Sequence, residues 1–214
     1  MNPLLIEYNK RRRSHHAPAA RGAYELLLAC IHEAGHWIAF AHNKIPVVRA
    51  IVDRRSHYGY GCVTPTALFG FVPDGMEAQV EYFVTVAGPG ALCALIPFVD
   101  MGNIRGTSLG DRCDARRLLD HMFGSNHKTR VKFREQKVSE VEQLIRQNWP
   151  VIEALAYELI RCGRLNVTQC QNIEKRYGIG RHNLTVPRLE SAWKRLSSFH
   201  SSPDGLLKSL LAID

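Results

Sequence analysis

Five consecutive residues, His32-Glu33-Ala34-Gly35-His36, place the strongest constraint on this chain. They read H-E-x-x-H and lie in a proline-free run, Gly22 to Ala41, that is rich in helix formers. Residues four apart share one face of a helix, so the imidazoles of His32 and His36 are expected to converge on one point. Two such nitrogens suit Zn²⁺, and Glu33 is placed to act as general base on a zinc-bound water. The motif therefore predicts a helix-borne metal site with a catalytic carboxylate.

The alternative is that His32 and His36 are hydrogen-bonded core residues and that the motif arose by chance. Two histidines and a glutamate are costly to bury in an apolar helix unless they have a function. Gly35 costs a further ~1 kcal/mol relative to alanine inside a helix, and it suggests that another element approaches closely there. Both arguments favour the metal site.

Composition limits the setting of this site. The chain has 214 residues, 45% of them apolar, which is enough for one moderate domain with an appendage. A net charge of +8 allows contact with an anionic partner, although a solvated basic surface is the preferred interpretation. The six cysteines form no C-x-x-C pair, and the N-terminus lacks the apolar stretch of a signal peptide. We therefore expect a reducing compartment and a cytoplasmic location.

The most apolar stretch, Phe83 to Val99, is shorter than a usual membrane span. It contains Gly88-Pro89-Gly90 and Pro97, so it is expected to be a core helix broken near Pro89. No transmembrane segment is predicted.

The rest of the chain divides into a few regions. Residues 1–21 form a polar arm that contains the basic cluster Arg11-Arg12-Arg13, and this arm is expected to be flexible. Nucleic-acid binding by the arm is considered but not favoured. Two β-branched runs, Val47–Val52 and Tyr58–Thr64, predict a small sheet. Helices are predicted from Thr129 onward, including an amphipathic segment at Val186–Phe199. The predicted fold class is mainly α with a small β-sheet (α+β).

A catalytic zinc site needs a third protein ligand, and Asp111 and Asp114 are the candidates. Both lie where a helix is expected to begin after a glycine-rich segment. A carboxylate there could instead complement the helix dipole, so one of the two could serve the helix and the other the metal.

Several stretches in the same order resemble the peptidase domain of the FtsH family of membrane-anchored, ATP-dependent zinc proteases. His32-Glu33-Ala34-Gly35-His36 is identical to the family's HEAGH, and Thr85 to Ala91 is similar to its GGRAAE region. Gly106 to Asp111, followed by Ala115, resembles its G-A-S-N-D-x-x-x-A stretch. The resemblance implies a zincin-like helix followed by a C-terminal helical bundle. It also implies a peptidase domain over residues 22–178. The amphipathic pattern of the remaining chain predicts a C-terminal helical appendage over 179–214.

By this resemblance Zn²⁺ is held by His32, His36 and Asp111, because Ala115 then falls on the family's alanine; Asp114 is the alternative third ligand. The resemblance implies a metalloendopeptidase that hydrolyses peptides or unfolded, flexible protein segments. The glutamate of the GGRAAE region falls at Leu92, so a group that would orient the site is expected to be missing. The predicted substrate-binding strand comprises Tyr58, Gly59, Tyr60, Gly61, Cys62 and Val63.

No P-loop motif occurs in the sequence, so the chain on its own is expected to act without ATP. A separate ATPase, or a second copy of the chain in a homo-oligomer, is considered as a partner. A second hypothesis is a catalytically weak or inactive zinc-stabilised module that binds a protein partner or nucleic acid. Leu92 favours this alternative, whereas the general base Glu33 argues against it.

Overall fold

The computed structural model describes residues 18–53, 61–65, 75–93 and 108–177. Within these ranges it contains six helices and one small sheet, which confirms the predicted fold class. In chain order the elements are α1 (Pro18–His42), β1 (Val47–Val52), β2 (Gly61–Pro65), α2 (Gly75–Cys93), α3 (Leu109–Phe123), α4 (His127–Gln147), α5 (Trp149–Cys162), β3 (Arg164–Asn166) and α6 (Val167–Tyr177).

The sheet is antiparallel and has the order β2-β1-β3. Ala50 at its centre pairs with Val63 on one side and with Leu165 on the other. The strand β3 was not predicted, because three residues are too few to show a period, and Leu165 is its single buried residue. Tyr58, Gly59 and Tyr60, from the predicted second strand, lie outside the described residues, so β2 begins at Gly61.

Helix α1 forms the centre of the main hydrophobic core. Every residue from Leu26 to Gly35 is buried, as expected of a helix that other elements enclose on all sides. Its closest neighbour is α2: a Cβ added at Gly35 would lie 2.6 Å from the Ala87 carbonyl oxygen and 2.8 Å from the Ala91 Cβ. The glycine thus lets the two helices approach to backbone contact, which accounts for its cost in the middle of a helix.

The predicted break near Pro89 is wrong, since α2 runs without interruption from Gly75 to Cys93. Proline removes one helix hydrogen bond and usually kinks or ends a helix. Here the flanking Ala87 and Ala91 are completely buried, in the face that packs against α1. Tertiary packing therefore outweighs the local preference of proline.

A second, smaller hydrophobic cluster joins α2 to α3. Its buried members are Ala78 and Tyr82 of α2 and Ala115, Leu118 and Leu119 of α3. Phe123 and Phe133 pack against it, with ring centroids 5.0 Å apart, and so bring in α4. Helix α3 is consequently held by a cluster separate from the main core.

Helix α1 ends in a Schellman motif. The Ile45 N–H donates to the Phe40 carbonyl at 2.9 Å, and the Lys44 N–H donates to the Ala41 carbonyl at 3.1 Å. Lys44 takes up the left-handed conformation, with φ 57°, which favours glycine.

We expect Lys44→Gly to stabilise the protein by about 1 kcal/mol, because glycine adopts this conformation without a steric cost. Urea unfolding of the two proteins measures the difference. The matched control is Lys44→Ala, which removes the exposed side chain but keeps the strain. Equal stability of the glycine and alanine variants would contradict the strain argument.

The arm that contains Arg11-Arg12-Arg13 and the segment Val186–Phe199 lie outside the described residues. None of the described helices has both the length and the apolar character that crossing a bilayer requires, in agreement with the prediction. No disulfide joins any of the six cysteines.

Candidate metal centre

Three predicted ligands from two distant parts of the chain meet in one cluster. Helix α1 supplies His32 and His36 one turn apart, and the first turn of α3 supplies Asp111. The Nε2 atoms of the two histidines are 3.0 Å apart. The Asp111 carboxylate places Oδ2 2.9 Å from the His32 Nε2 and Oδ1 3.5 Å from the His36 Nε2.

These spacings fit a metal ion. Two donors of a tetrahedral zinc ion, each bonded at ~2.0–2.1 Å, lie ~3.3 Å apart, and the three observed separations fall on either side of that value. Two imidazoles with one carboxylate form a donor set that zinc accepts, with a fourth position left for water or substrate. The residues present therefore fit zinc.

Groups behind the ligands orient one histidine more firmly than the other. The Nδ1–H of His36 donates to the Val84 carbonyl at 2.8 Å, which fixes the tautomer that turns Nε2 toward the cluster. The Nδ1 of His32 is buried and has no hydrogen-bond partner among the described residues. Leu92, where the family resemblance places a glutamate, is a fully buried apolar residue.

Gly88 of α2 forms the floor of the site. A Cβ at this position would lie 2.5 Å from the His36 Nε2 and 2.9 Å from the His32 Cε1. No side chain fits between α2 and the two imidazoles, so glycine is the residue that this helix can place there.

Glu33 lies beside the cluster and is only 5% exposed. Burial raises the pKa of its carboxyl group to about 7, opposed by the nearby His36 and reinforced by Asp111. Its side chain packs against Gly61, where an added Cβ would lie 2.5 Å from the Glu33 Cγ and 2.7 Å from its Oε1. The absence of a side chain at the start of β2 thus provides the space for Glu33.

The three candidate ligands affect each other's ionisation. Burial would raise the pKa of Asp111, but hydrogen bonds with His32 and His36 outweigh burial and hold that pKa well below its usual value. Burial lowers the pKa of His32, despite its bond to Asp111. For His36, Asp111, Glu33 and the Val84 carbonyl together outweigh burial and raise the pKa. The carboxylate is therefore held in the ionised form that binds a metal.

The alternative ligand Asp114 is not part of the cluster. Its side chain is 57% exposed, and its Oδ1 lies 3.6 Å from the Arg117 Nη2. One turn of α3 separates the residue that faces the histidines, Asp111, from the residue that faces solvent.

Sequence reasoning missed two residues of this site, Val84 and Gly88, and it assigned Gly61 to substrate binding instead of to the space beside Glu33. Val84 contributes a backbone carbonyl, which no side-chain motif reveals. The run Gly88-Pro89-Gly90 is a signal in the sequence, but it predicts a helix break and not a close approach to the histidines. Ser108 is fully buried at the residue preceding α3.

Comparison with models of known protein families finds no match for this sequence, and comparison with curated proteins finds none either. The inference of function therefore depends on the chemistry of the site.

Proposed function

We propose that this protein is a zinc-dependent metallopeptidase that hydrolyses peptide bonds in peptides or unfolded protein segments. One observation carries the proposal: a buried carboxylate, Glu33, lies next to a His32, His36 and Asp111 cluster that already has the spacing of a zinc site. A purely structural zinc site has no use for such a neighbour, and it is usually closed by four protein ligands.

Each side chain has a distinct role in this proposal. His32, His36 and Asp111 hold the ion. When bound, zinc would supply a Lewis acid that polarises a carbonyl group and lowers the pKa of water toward about 7. Glu33 accepts the proton of the attacking water on its carboxylate and delivers it to the leaving amine nitrogen. Without a metal ion, burial raises the pKa of Glu33 to about 7; a bound zinc ion would lower that pKa and favour the carboxylate form that accepts the proton.

The strand β2 is the candidate platform for substrate. It is an outer strand of the described sheet, and its first residue, Gly61, touches Glu33. A peptide that adds to the outer edge of β2, which has no partner strand among the described residues, would lie extended beside the general base. Cys62 and Val63 belong to this edge, whereas the predicted contacts at Tyr58–Tyr60 lie outside the described residues.

We expect Gly61→Ala to lower peptidase activity by roughly 100-fold while zinc content stays unchanged, because the new methyl group occupies the space of the Glu33 carboxylate. Cleavage of an unfolded, fluorescently labelled protein measures the rate. Gly75→Ala serves as the control, because an added Cβ at Gly75 meets nothing within 4 Å. Normal activity in Gly61→Ala would show that the position of Glu33 is not critical.

Zinc content tests the proposal directly. We expect about one zinc per chain in the protein purified without added metal, lost in His36→Ala and Asp111→Ala but kept in the exposed-residue control Asp114→Ala. Zinc uptake by the two depleted variants, or no uptake by folded wild type, would overturn the ligand assignment.

The alternative, a zinc-stabilised binding module without peptidase activity, has one observation in its favour. The His32 Nδ1 has no described partner, and Leu92, where the family resemblance places an orienting glutamate, is apolar. A site oriented this loosely could hold zinc yet turn over slowly. Wild type that contains zinc but cleaves no unfolded substrate would favour this function.

A further inference from the structure

We infer that Ser108 is a positioning residue for the third ligand: its hydroxyl donates a hydrogen bond to the Asp111 carboxylate when that carboxylate holds a metal ion. The inference rests on the metal site of the proposed function. It adds a residue that the H-E-x-x-H motif does not contain.

The first observation is the environment of the hydroxyl. Ser108 has no exposed surface, and its Oγ has no hydrogen-bond partner among the described residues. Buried hydroxyls without a partner are rare and costly in native proteins, so each one calls for a function. Among the described residues, only three buried side-chain nitrogen or oxygen atoms lack a hydrogen-bond partner. One is on the ligand His32, one is on Ser108, and the third is the Glu81 Oε2.

The second observation is the position of Ser108 relative to Asp111. Ser108 is the N-cap residue of α3 and Asp111 lies three residues later, in the first turn. In the capping box, the side chains of an N-cap serine and of a glutamate or glutamine three positions later each bond to the other residue's backbone N–H, so both side chains lie at the same end of the helix. The Ser108 hydroxyl and the Asp111 carboxylate are therefore neighbours by helix geometry.

The usual role of an N-cap serine does not account for this hydroxyl. A capping side chain accepts a hydrogen bond from a backbone N–H of the first turn, and Ser108 makes no such bond. Its backbone carbonyl, by contrast, accepts the regular helical bond from the Arg112 N–H at 3.0 Å. The backbone of Ser108 belongs to the helix, whereas its side chain has no part in capping it.

The present contacts of Asp111 explain why the two groups are not yet bonded. Both carboxylate oxygens are directed at imidazoles, Oδ2 at His32 and Oδ1 at His36. A metal ion replaces these carboxylate–imidazole contacts, since all three side chains then point their lone pairs at the ion. A carboxylate that ligates through one oxygen has the other available, and ligating carboxylates are generally hydrogen-bonded in turn.

The experiment compares Ser108→Ala with wild type in three measurements. Zinc affinity is determined by competition with a chromophoric chelator, and stability of the metal-free protein by urea unfolding with chelator present. The absorption spectrum of the Co²⁺-loaded protein reports on the ligands. Ser139→Ala, at an exposed serine of α4, is the matched control. Ser108→Gly, which also lacks the hydroxyl and keeps a residue suited to an N-cap, replaces the alanine variant if that variant does not fold.

We expect Ser108→Ala to weaken zinc binding by ~10- to 100-fold and to alter the Co²⁺ spectrum. The metal-free variant should be as stable as wild type or more stable, because a buried unsatisfied hydroxyl has been removed. Unchanged zinc affinity would overturn the inference. A loss of metal-free stability would also overturn it, since the hydroxyl would then act as a helix cap. If wild type itself takes up no zinc or Co²⁺, the proposed metal site fails first and the role of Ser108 fails with it.

Discussion

Replacing Glu33 by glutamine is expected to abolish peptide hydrolysis while zinc stays bound. A general base typically contributes ~10²–10⁴-fold to the rate, and glutamine cannot take the proton of the attacking water. The amide has nearly the same shape as the carboxylate, so the contact with Gly61 and the ligands His32 and His36 are expected to remain as they are. Loss of activity would then reflect chemistry and not a rearranged site.

Two measurements on the same preparation decide this prediction: the zinc content, and the rate at which an unfolded, labelled protein is cleaved. Glu135→Gln, at an exposed residue of α4, removes a carboxylate far from the proposed chemistry and should change neither. Full activity of Glu33→Gln would rule out the mechanism. Loss of zinc together with activity would show that Glu33 supports the metal site and would leave its role as a base unsupported.

The second large effect is expected at Gly88. In an exposed helix, Gly→Ala stabilises by ~0.5–1 kcal/mol, so helix propensity alone predicts a gain. The structure predicts the opposite for metal binding, because the new Cβ would lie 2.5 Å from the His36 Nε2. That atom is the proposed donor, and the Val84 carbonyl holds the other side of its ring, so the ring moves away from its ligating position. We expect Gly88→Ala to weaken zinc binding by more than ~100-fold.

Gly75→Ala is the control for this prediction, since Gly75 lies at the start of the same helix and an added Cβ there meets nothing within 4 Å. Zinc affinity by chelator competition, combined with circular dichroism to check helix content, separates the two variants. If Gly88→Ala keeps its affinity for zinc, the two imidazoles can shift to accommodate the new methyl group and still bind the ion, which would contradict this prediction.

The part of the candidate site that could be predicted from the sequence is the part whose residues lie close together in the chain. His32, Glu33 and His36 lie within two turns of one helix, where the helical period alone brings them together. The choice between Asp111 and Asp114 depends on which turn of α3 lies beside α1. Residues three apart are neighbours on a helix surface, so the sequence alone left two candidates.

The errors have a related cause. The expected break at Pro89 follows the local preference of proline, whereas the helix is maintained by small residues packed against α1. The short strand β3 exists because β1 offers it a partner, and its own three residues carry no periodic signal. The role of Gly61 depends on the Glu33 side chain packed against it, and that of Gly88 on the two imidazoles. These are tertiary contacts, which the sequence around each glycine does not reveal.

The separation of the two hydrophobic clusters has a consequence for the cooperativity of the fold. His32 and His36 belong to a helix in the main core, whereas Asp111 begins a helix that is held by the smaller cluster around Tyr82 and Leu118. An ion bound by all three residues would cross-link α1, in the main core, to α3, which the smaller cluster holds. The free energy of moving α3 away from the main core would then include the loss of metal binding as well as the loss of packing in the smaller cluster. The concentration of available metal would therefore determine how often this helix detaches.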